Sequence, residues 1–323
     1  MKLFIQIPCL NEETTLPLVF QTMPKHIPGI DEIEYLIIDD GSTDNTIAVA
    51  KQLGVTHFVT HPYNMGLARS FHDGINYALA HGADIVVNTD GDNQYPQERI
   101  ADLVQPIINH EADIVIGDRQ THSIAHFSRF KKFMQRFGTA VVNQAANTDL
   151  PDAPSGFRAY SRSALYRLNV VTQFSYTMET IIQAGNKHLH TVSVPIDTNA
   201  KTRESRLFKS SWQHMRKSAS AIIRSYVMFQ PAMIFGWLGG ILFVAGAVPF
   251  VRYAIFQLIA KEKTGHLQSL ILGVTLLTAA LLSFALGVIA DLLRTNRILT
   301  EDLLERVKAL QYGDPTPPTS HKK

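Results

Sequence analysis

The chain has 323 residues, 46% of them hydrophobic, and a formal net charge of +2, a balance that excludes nucleic-acid binding through the surface as a whole. A single cysteine, Cys9, excludes an intrachain disulfide framework and fits a reducing compartment. The opening MKLFIQIPCLNEE meets polar residues too early for a secretory signal, so the N-terminal portion is expected to stay in the cytosol.

Through the first half, short apolar runs alternate with longer amphipathic ones. Residues 3–7, 35–38, 57–60, 85–88 and 114–116 read as strands, and 12–23, 45–53, 67–80 and 96–109 as helices. That alternation predicts an α/β fold: a doubly wound, mostly parallel sheet with helices on both faces. Ligands of such sheets bind beyond the carboxyl ends of the strands. Several polar segments fall there.

IPCLNEE (7–13) ends the first strand. IIDDGSTDNT (37–46) follows the second; Asp39 and Asp40 suit hydrogen bonds from a base or ribose and Asp44 suits a helix cap, although turn carboxylates and an N-cap explain the same residues. NTDGDNQYP (88–96) sets Asp90 and Asp92 one residue apart across a glycine. A hard divalent cation takes oxygen ligands and keeps positions open for phosphates, so this pair suits Mg2+ or Mn2+ on a diphosphate, with Gln94 as a neutral oxygen. An acidic turn capping a helix is the plainer alternative. Further along, Glu179 in FSYTMET is a reserve general base or a structural carboxylate. His188 and His190 read as ordinary strand residues, because no cysteine or carboxylate cluster surrounds them.

Residues 198–205 form a polar loop. After it, Phe208, Trp212, Met215, Ala219, Ile222, Ile223 and Tyr226 recur at helical spacing with cations between them, which predicts an amphipathic helix in a membrane interface or a surface helix on the domain. Segments 231–251 and 267–290 contain no ionisable side chain, and each would extend at least about 30 Å as a helix, one bilayer core. Two transmembrane helices follow. Basic residues precede the first (Lys201 to Arg224) and follow the second (Arg294 to Lys308), so both flanks are expected to be cytoplasmic, with the loop at 261–266 outside despite its own two lysines. Gly236 and Gly240 form a small-residue pair suited to close helix packing. Residues 291–311 read as a polar cytoplasmic helix and the tail beyond as disordered. The expected organisation is a catalytic domain at 1–205, an interfacial segment at 206–230, two membrane helices at 231–290, and the cytoplasmic remainder at 291–323.

In this order, IPCLNEE, IIDDGSTDNT, NMGLARSFHDGI (64–75), DGDNQYP, IGDR (116–119), SGFRAYSR (155–162) and TRESRL (202–207) resemble the inverting family 2 glycosyltransferases of the GT-A fold. The resemblance is closer to the polyprenyl-phosphate branch, which includes dolichol-phosphate mannose synthase. It implies a nucleotide-sugar pocket from Pro8, Glu12, Asp39, Asp40, Asp90 and Gln94, with Asp90, Asp92 and Gln94 on the metal. It places Asp92, Arg119 and Arg203 at the chemistry, with Glu179 in reserve, and Ser155, Arg158, Arg203 and Arg206 around an acceptor phosphate. The implied partners are a UDP- or GDP-sugar, an undecaprenyl or dolichyl phosphate, Mg2+ or Mn2+, the bilayer and further copies of the chain. The implied location is a bacterial plasma membrane, or the endoplasmic reticulum of a eukaryote.

Two departures stand out. Glu204, Ser205 and Arg206 occupy a loop where the family often has glycine before a serine and lysine pair, and Gly156 stands where some relatives carry an aspartate. A phosphate acceptor is ionised near neutral pH and needs no base, whereas a hydroxyl acceptor requires one. A same-fold enzyme acting on a lipid or polysaccharide hydroxyl is thus the nearest rival, and a non-catalytic membrane scaffold the more distant one.

Overall fold

The computed structural model describes residues 1–120, 129–170, 176–199, 231–257 and 267–313. The chain divides into two compact units, Met1–Ile222 together with Glu301–Lys323, and Ile223–Thr300. The interfacial segment expected at 206–230, and with it Arg203 and Arg206, lies outside the described residues.

In the first unit, β1 (Lys2–Cys9), β2 (Glu32–Asp39), β3 (His57–Thr60), β4 (Ile85–Asn88) and β5 (Ile114–Asp118) form from the apolar runs read in the sequence. β1 is buried over nearly its whole length, the signature of a parallel strand covered on both faces. Helices α1 (Leu16–Gln21), α2 (Thr46–Gln52), α3 (Leu67–Ala80) and α4 (Ile100–Ile108) connect them. α3 buries Ala68, Phe71, Ile75, Ala78 and Leu79, a stripe at three- and four-residue spacing that packs it on the sheet. The helix expected at 12–23 begins later, because the Glu12 carbonyl first accepts from the Thr15 and Leu16 amides in a turn.

One strand, at Arg158–Ser161, was not foreseen, and the strand read at His188 and His190 begins later. After α5 (Arg129–Ala146), β6 (Arg158–Ser161) enters antiparallel to both β4 and β5; after α6 (Arg162–Arg167) and α7 (Tyr176–Asn186), β7 (Thr191–Pro195) pairs parallel with β5. The sheet order is β3-β2-β1-β4-β6-β5-β7. Reversing β6 brings its first residue opposite the last of β4, Arg158 against Asn88. The segment 155–158 therefore meets the carboxyl ends of β1, β2 and β4 at one edge. His188, in a left-handed conformation, and His190 precede β7 rather than lie in it.

The second unit holds α8 (Pro231–Ile255) and most of α9 (Leu267–Tyr312), both long and apolar enough to cross a membrane. At 25 and 46 residues they extend about 37 and 69 Å, so α9 is roughly twice a bilayer core. Trp237, Ile241 and Leu281 point outward. The pair packs through glycines: a β-carbon at Gly239 would stand 2.8 Å from the Phe284 ring, and one at Gly246 3.0 Å from Leu277. Ser283 Oγ donates to the Phe235 carbonyl at 2.9 Å. Gly236 and Gly240 face open space, so the contact within the chain uses the neighbouring glycine face.

The polar helix expected at 291–311 is no separate element. It continues α9, and its last turns belong to the first unit. There Lys308 Nζ donates to the carbonyls of Leu165, Tyr166 and Leu168 and to Asn169 Oδ1, at 2.9 to 3.4 Å. These are the carbonyls left unpaired where α6 ends, at the negative end of its dipole. Lys187–Glu301 at 2.9 Å and Tyr166 Oη on the Gly313 carbonyl at 2.8 Å complete the seat.

Candidate active site

The acidic pair stands where β4 ends, on a loop fixed by buried polar contacts at its base. Asn88, fully buried, accepts from Gln6 Nε2 at 3.0 Å and donates to the Gly156 carbonyl at 3.0 Å and Tyr176 Oη at 2.8 Å. Thr89 Oγ1 donates to Gln97 Oε1 at 2.9 Å, closing the loop, and Gln97 Nε2 donates to the Tyr95 carbonyl at 3.0 Å. Tyr95 stacks on Phe157 and accepts from the Gly156 amide at 3.1 Å. A β-carbon at Gly156 would lie 3.3 Å from Tyr176 Oη and 3.6 Å from both Tyr95 Oη and Asp90 Oδ2. Burial, and after it Asp90 among others, pushes Tyr95 up to about 12; burial likewise raises Tyr176 well above the usual phenol range. Both hydroxyls thus keep their protons at neutral pH.

Asp92 is held by its neighbour. Gln94 donates its amide to Asp92 Oδ1 at 3.2 Å and its side-chain Nε2 to Oδ2 at 2.7 Å. With its nitrogen turned to Asp92, Gln94 supports the carboxylate. The loop also closes on the first strand's end: a β-carbon at Gly91 would meet Cys9 Sγ at 3.2 Å, Glu12 Cγ at 3.3 Å and the Pro8 carbonyl at 3.5 Å. Pro8, Glu12 and the acidic loop therefore border one space. Asp39 stands opposite Cys9 in the sheet and accepts from the Ser42 amide at 3.2 Å; the Cys9 thiol is raised by burial first and then by Glu12, Asp39, Asp44 and Asp90.

Asp40 does not share that role. Its carboxylate is 6% exposed and accepts from the Met65 amide at 2.8 Å, the Gly66 amide at 2.9 Å and lies 2.8 Å from His61 Nδ1. It organises the loop before α3, which Gly41 lets approach: with φ at 80°, Gly41 has Tyr63 and Asn64 backbone atoms within 2.9 Å of where a β-carbon would stand.

Among the basic residues, Arg119 pairs bidentately with buried Asp152, Nε to Oδ2 at 2.7 Å and Nη2 to Oδ1 at 2.9 Å. Burial opposes the Arg119 charge, while the hydrogen-bonded Asp152 carboxylate and, beyond it, Asp90 favour it. Arg158 corrects an expectation. It is 0% exposed and donates to the carbonyls of Ser155, Thr177 and Ala153 and to Thr180 Oγ1, so it cannot reach an acceptor phosphate. Ser155 is buried beside it, with an unpartnered Oγ. Glu179, 1% exposed with Gln183 Nε2 donating to it at 3.4 Å, has no access to solvent from which to serve as a base. Asn88, Tyr95, Asp152 and Tyr176 were missed; the only sequence signal was the polar Asn88 closing an apolar run.

The donors present fit a hard divalent cation. Asp90 and Asp92 offer carboxylate oxygens within an acidic surround, and in the same loop Asn93 Oδ1 is buried without a partner. Among the described residues no group of three or more His, Cys, Asp or Glu forms a closed metal cage. Two carboxylates with open positions match a cation that completes its shell with phosphate oxygens.

Comparison with known proteins places this geometry. The profile of glycosyl transferase family 2 matches residues 4–168, half of the chain. The UDP-N-acetylglucosamine–dolichyl-phosphate N-acetylglucosaminyltransferase of Methanococcus voltae is 29% identical over 221 residues, covering 61% of this chain and 85% of that protein. The polyprenol monophosphomannose synthase of Mycolicibacterium smegmatis is 23% identical over 66% of this chain and 82% of its own. In fold, the chain is similar to glucosyl-3-phosphoglycerate synthase from Mycobacterium tuberculosis solved with Mn2+, UDP and phosphoglyceric acid, with TM-score 0.53 and 19% identity, covering 70% of this chain and 77% of that one.

Proposed function

This chain belongs to glycosyl transferase family 2 and carries the GT-A fold, and from that premise we propose that it transfers a sugar from a nucleoside diphosphate to a polyprenyl phosphate, with inversion at the anomeric carbon, on the cytoplasmic face of a membrane. What supports the assignment is the packing of the Asp90–Asp92 loop against Pro8 and Glu12, which sets the proposed metal pair beside the proposed nucleotide residues. The relatives named above use dolichyl and polyprenol phosphates, and the solved structure of like fold holds Mn2+ and UDP.

In this reading Pro8, Glu12 and Asp39 receive the nucleotide, and Asp90 and Asp92 hold Mg2+ or Mn2+. The cation, when bound, offsets the charge that collects on the departing diphosphate. Arg119, kept in place by Asp152, adds positive potential beside Asp90. An ionised acceptor phosphate oxygen forms the new bond to the anomeric carbon as the bond to the diphosphate oxygen breaks, in line and without a base. Gly156 supports this: it offers no side-chain base, and the groups around it are two protonated tyrosines and Asp90, which this reading gives to the metal.

The membrane reading draws support from the helix seat. Residues 301–313 bond directly to α6, so the chain after the two apolar helices returns to the unit that precedes them, in keeping with an even number of crossings. The basic flanks favour the cytoplasmic side.

Purified protein with Mn2+, UDP- or GDP-sugars and undecaprenyl or dolichyl phosphate should form a glycolipid. Asp92→Asn should lower the rate by about 100-fold or more while leaving the melting temperature unchanged. No product with any common donor would sink the proposal; product from hydroxyl lipids alone would establish the rival acceptor, and absence of metal-dependent nucleotide binding would leave a scaffold.

A further inference from the structure

Three successive carbonyls in the acidic loop are held by one residue from elsewhere in the fold. Asn199, four residues past the end of β7, donates its backbone amide to the Gln94 carbonyl at 3.0 Å. Its side-chain Nδ2 donates to the Asn93 carbonyl at 3.1 Å and the Tyr95 carbonyl at 3.3 Å. Asn93 has φ at 58°, a left-handed conformation that a non-glycine residue keeps only when its surroundings hold it. Gln94, gripped by its carbonyl, donates in turn to both oxygens of Asp92.

We propose that Asn199 is a positioning residue for the metal pair: its side chain holds the carbonyls on either side of Gln94, so that Gln94 fixes the orientation of the Asp92 carboxylate for a divalent cation carrying a nucleoside diphosphate. This rests on the assignment of Asp90 and Asp92 as the metal pair. The loop has two anchorages with separate duties. Its base is closed in the core by Thr89, Gln97 and Tyr95, so the loop forms without Asn199. Among the described residues its tip, residues 93–95, receives three further hydrogen bonds from elsewhere in the fold, all from Asn199, and the tip carries the side chain that orients Asp92. Asn199 is exposed, so replacing it opens no cavity. Partners of this kind, one step behind a ligand, commonly govern metal affinity by about 10–100-fold.

The test is calorimetric titration of Mn2+ into the full chain in detergent with UDP or GDP present, alongside melting in EDTA. Asn199→Ala should weaken Mn2+ binding by about 10–100-fold with the melting temperature in EDTA unchanged. Asn199→Asp, which swaps the Nδ2 donor for an acceptor facing two carbonyls, should do at least as much. Mn2+ affinity equal to wild type, or a loss that tracks a lowered melting temperature in EDTA, would overturn the proposal. Asp92→Asn serves as the control: if it binds Mn2+ and nucleotide like wild type, the metal-pair assignment itself fails; if it loses binding while Asn199→Ala does not, only the positioning role fails.

Discussion

Arg158 is wholly enclosed, and its guanidinium ties together the segment 153–155, the start of α7 and Thr180. Removing it leaves the Ser155 and Ala153 carbonyls and the Thr180 hydroxyl without its donors, while the Thr177 carbonyl still accepts from Thr180 Oγ1, at about 1–3 kcal/mol for each group that stays dry. Arg158→Met should therefore lose at least about 3 kcal/mol by denaturant unfolding, whereas a role at the acceptor would raise the acceptor KM at unchanged stability. Arg119 and Arg158 lie in comparable short motifs, and nothing in their spelling separates them. Which one faces the site depends on where Asp152 and α7 come to rest, a tertiary fact that residue type does not encode. Asp40 repeats the lesson beside Asp39: adjacent strand-end carboxylates take different partners, one the Ser42 amide and one the loop at 61–66.

At the scale of elements, the five apolar strands and the order of the motifs were legible because parallel strands buried on both faces read as continuous apolar runs. β6 was not, since RAYS is short and its reversal follows from pairing with β4 and β5. The apolar helices were plain by length and composition, but their mutual face was not: a glycine has no side chain to show direction. Gly239, Gly246 and Gly273 meet the partner helix, while Gly236 and Gly240 remain open. Gly246→Leu should thus loosen the α8–α9 pair and lower its thermal stability in detergent. Gly240→Leu should leave that pair intact; if copies of the chain associate along this face, it should reduce the mass of the detergent-solubilised particle measured by light scattering.

At the scale of the molecule, the first unit draws on two stretches of sequence that flank the apolar helices. Lys308 is 8% exposed, and its ammonium replaces the missing donors at the end of α6. Lys308→Met keeps the length of the side chain and removes its donors. Hydrogen exchange should then speed up at the amides of 301–313 and at the end of α6, with β1 and β4 unaffected; unchanged protection in 301–313 would show that the seat does not depend on this lysine. The sequence marked Lys308 only as a cytoplasmic cation, because its charge speaks to membrane orientation and says nothing of the carbonyls awaiting it.

The seat of α9 also sets an order of events during synthesis. A ribosome adds about 5–20 residues per second, so the sheet, the acidic loop and α6 have emerged well before residue 301. The nascent unit must wait, with the α6 carbonyls and Tyr166 lacking their final partners, until both apolar helices have been made. Only then does the last stretch return to close it. The piece that finishes the first unit is thus translated after both helices long and apolar enough to cross a membrane, so completion of the enzyme waits on their synthesis.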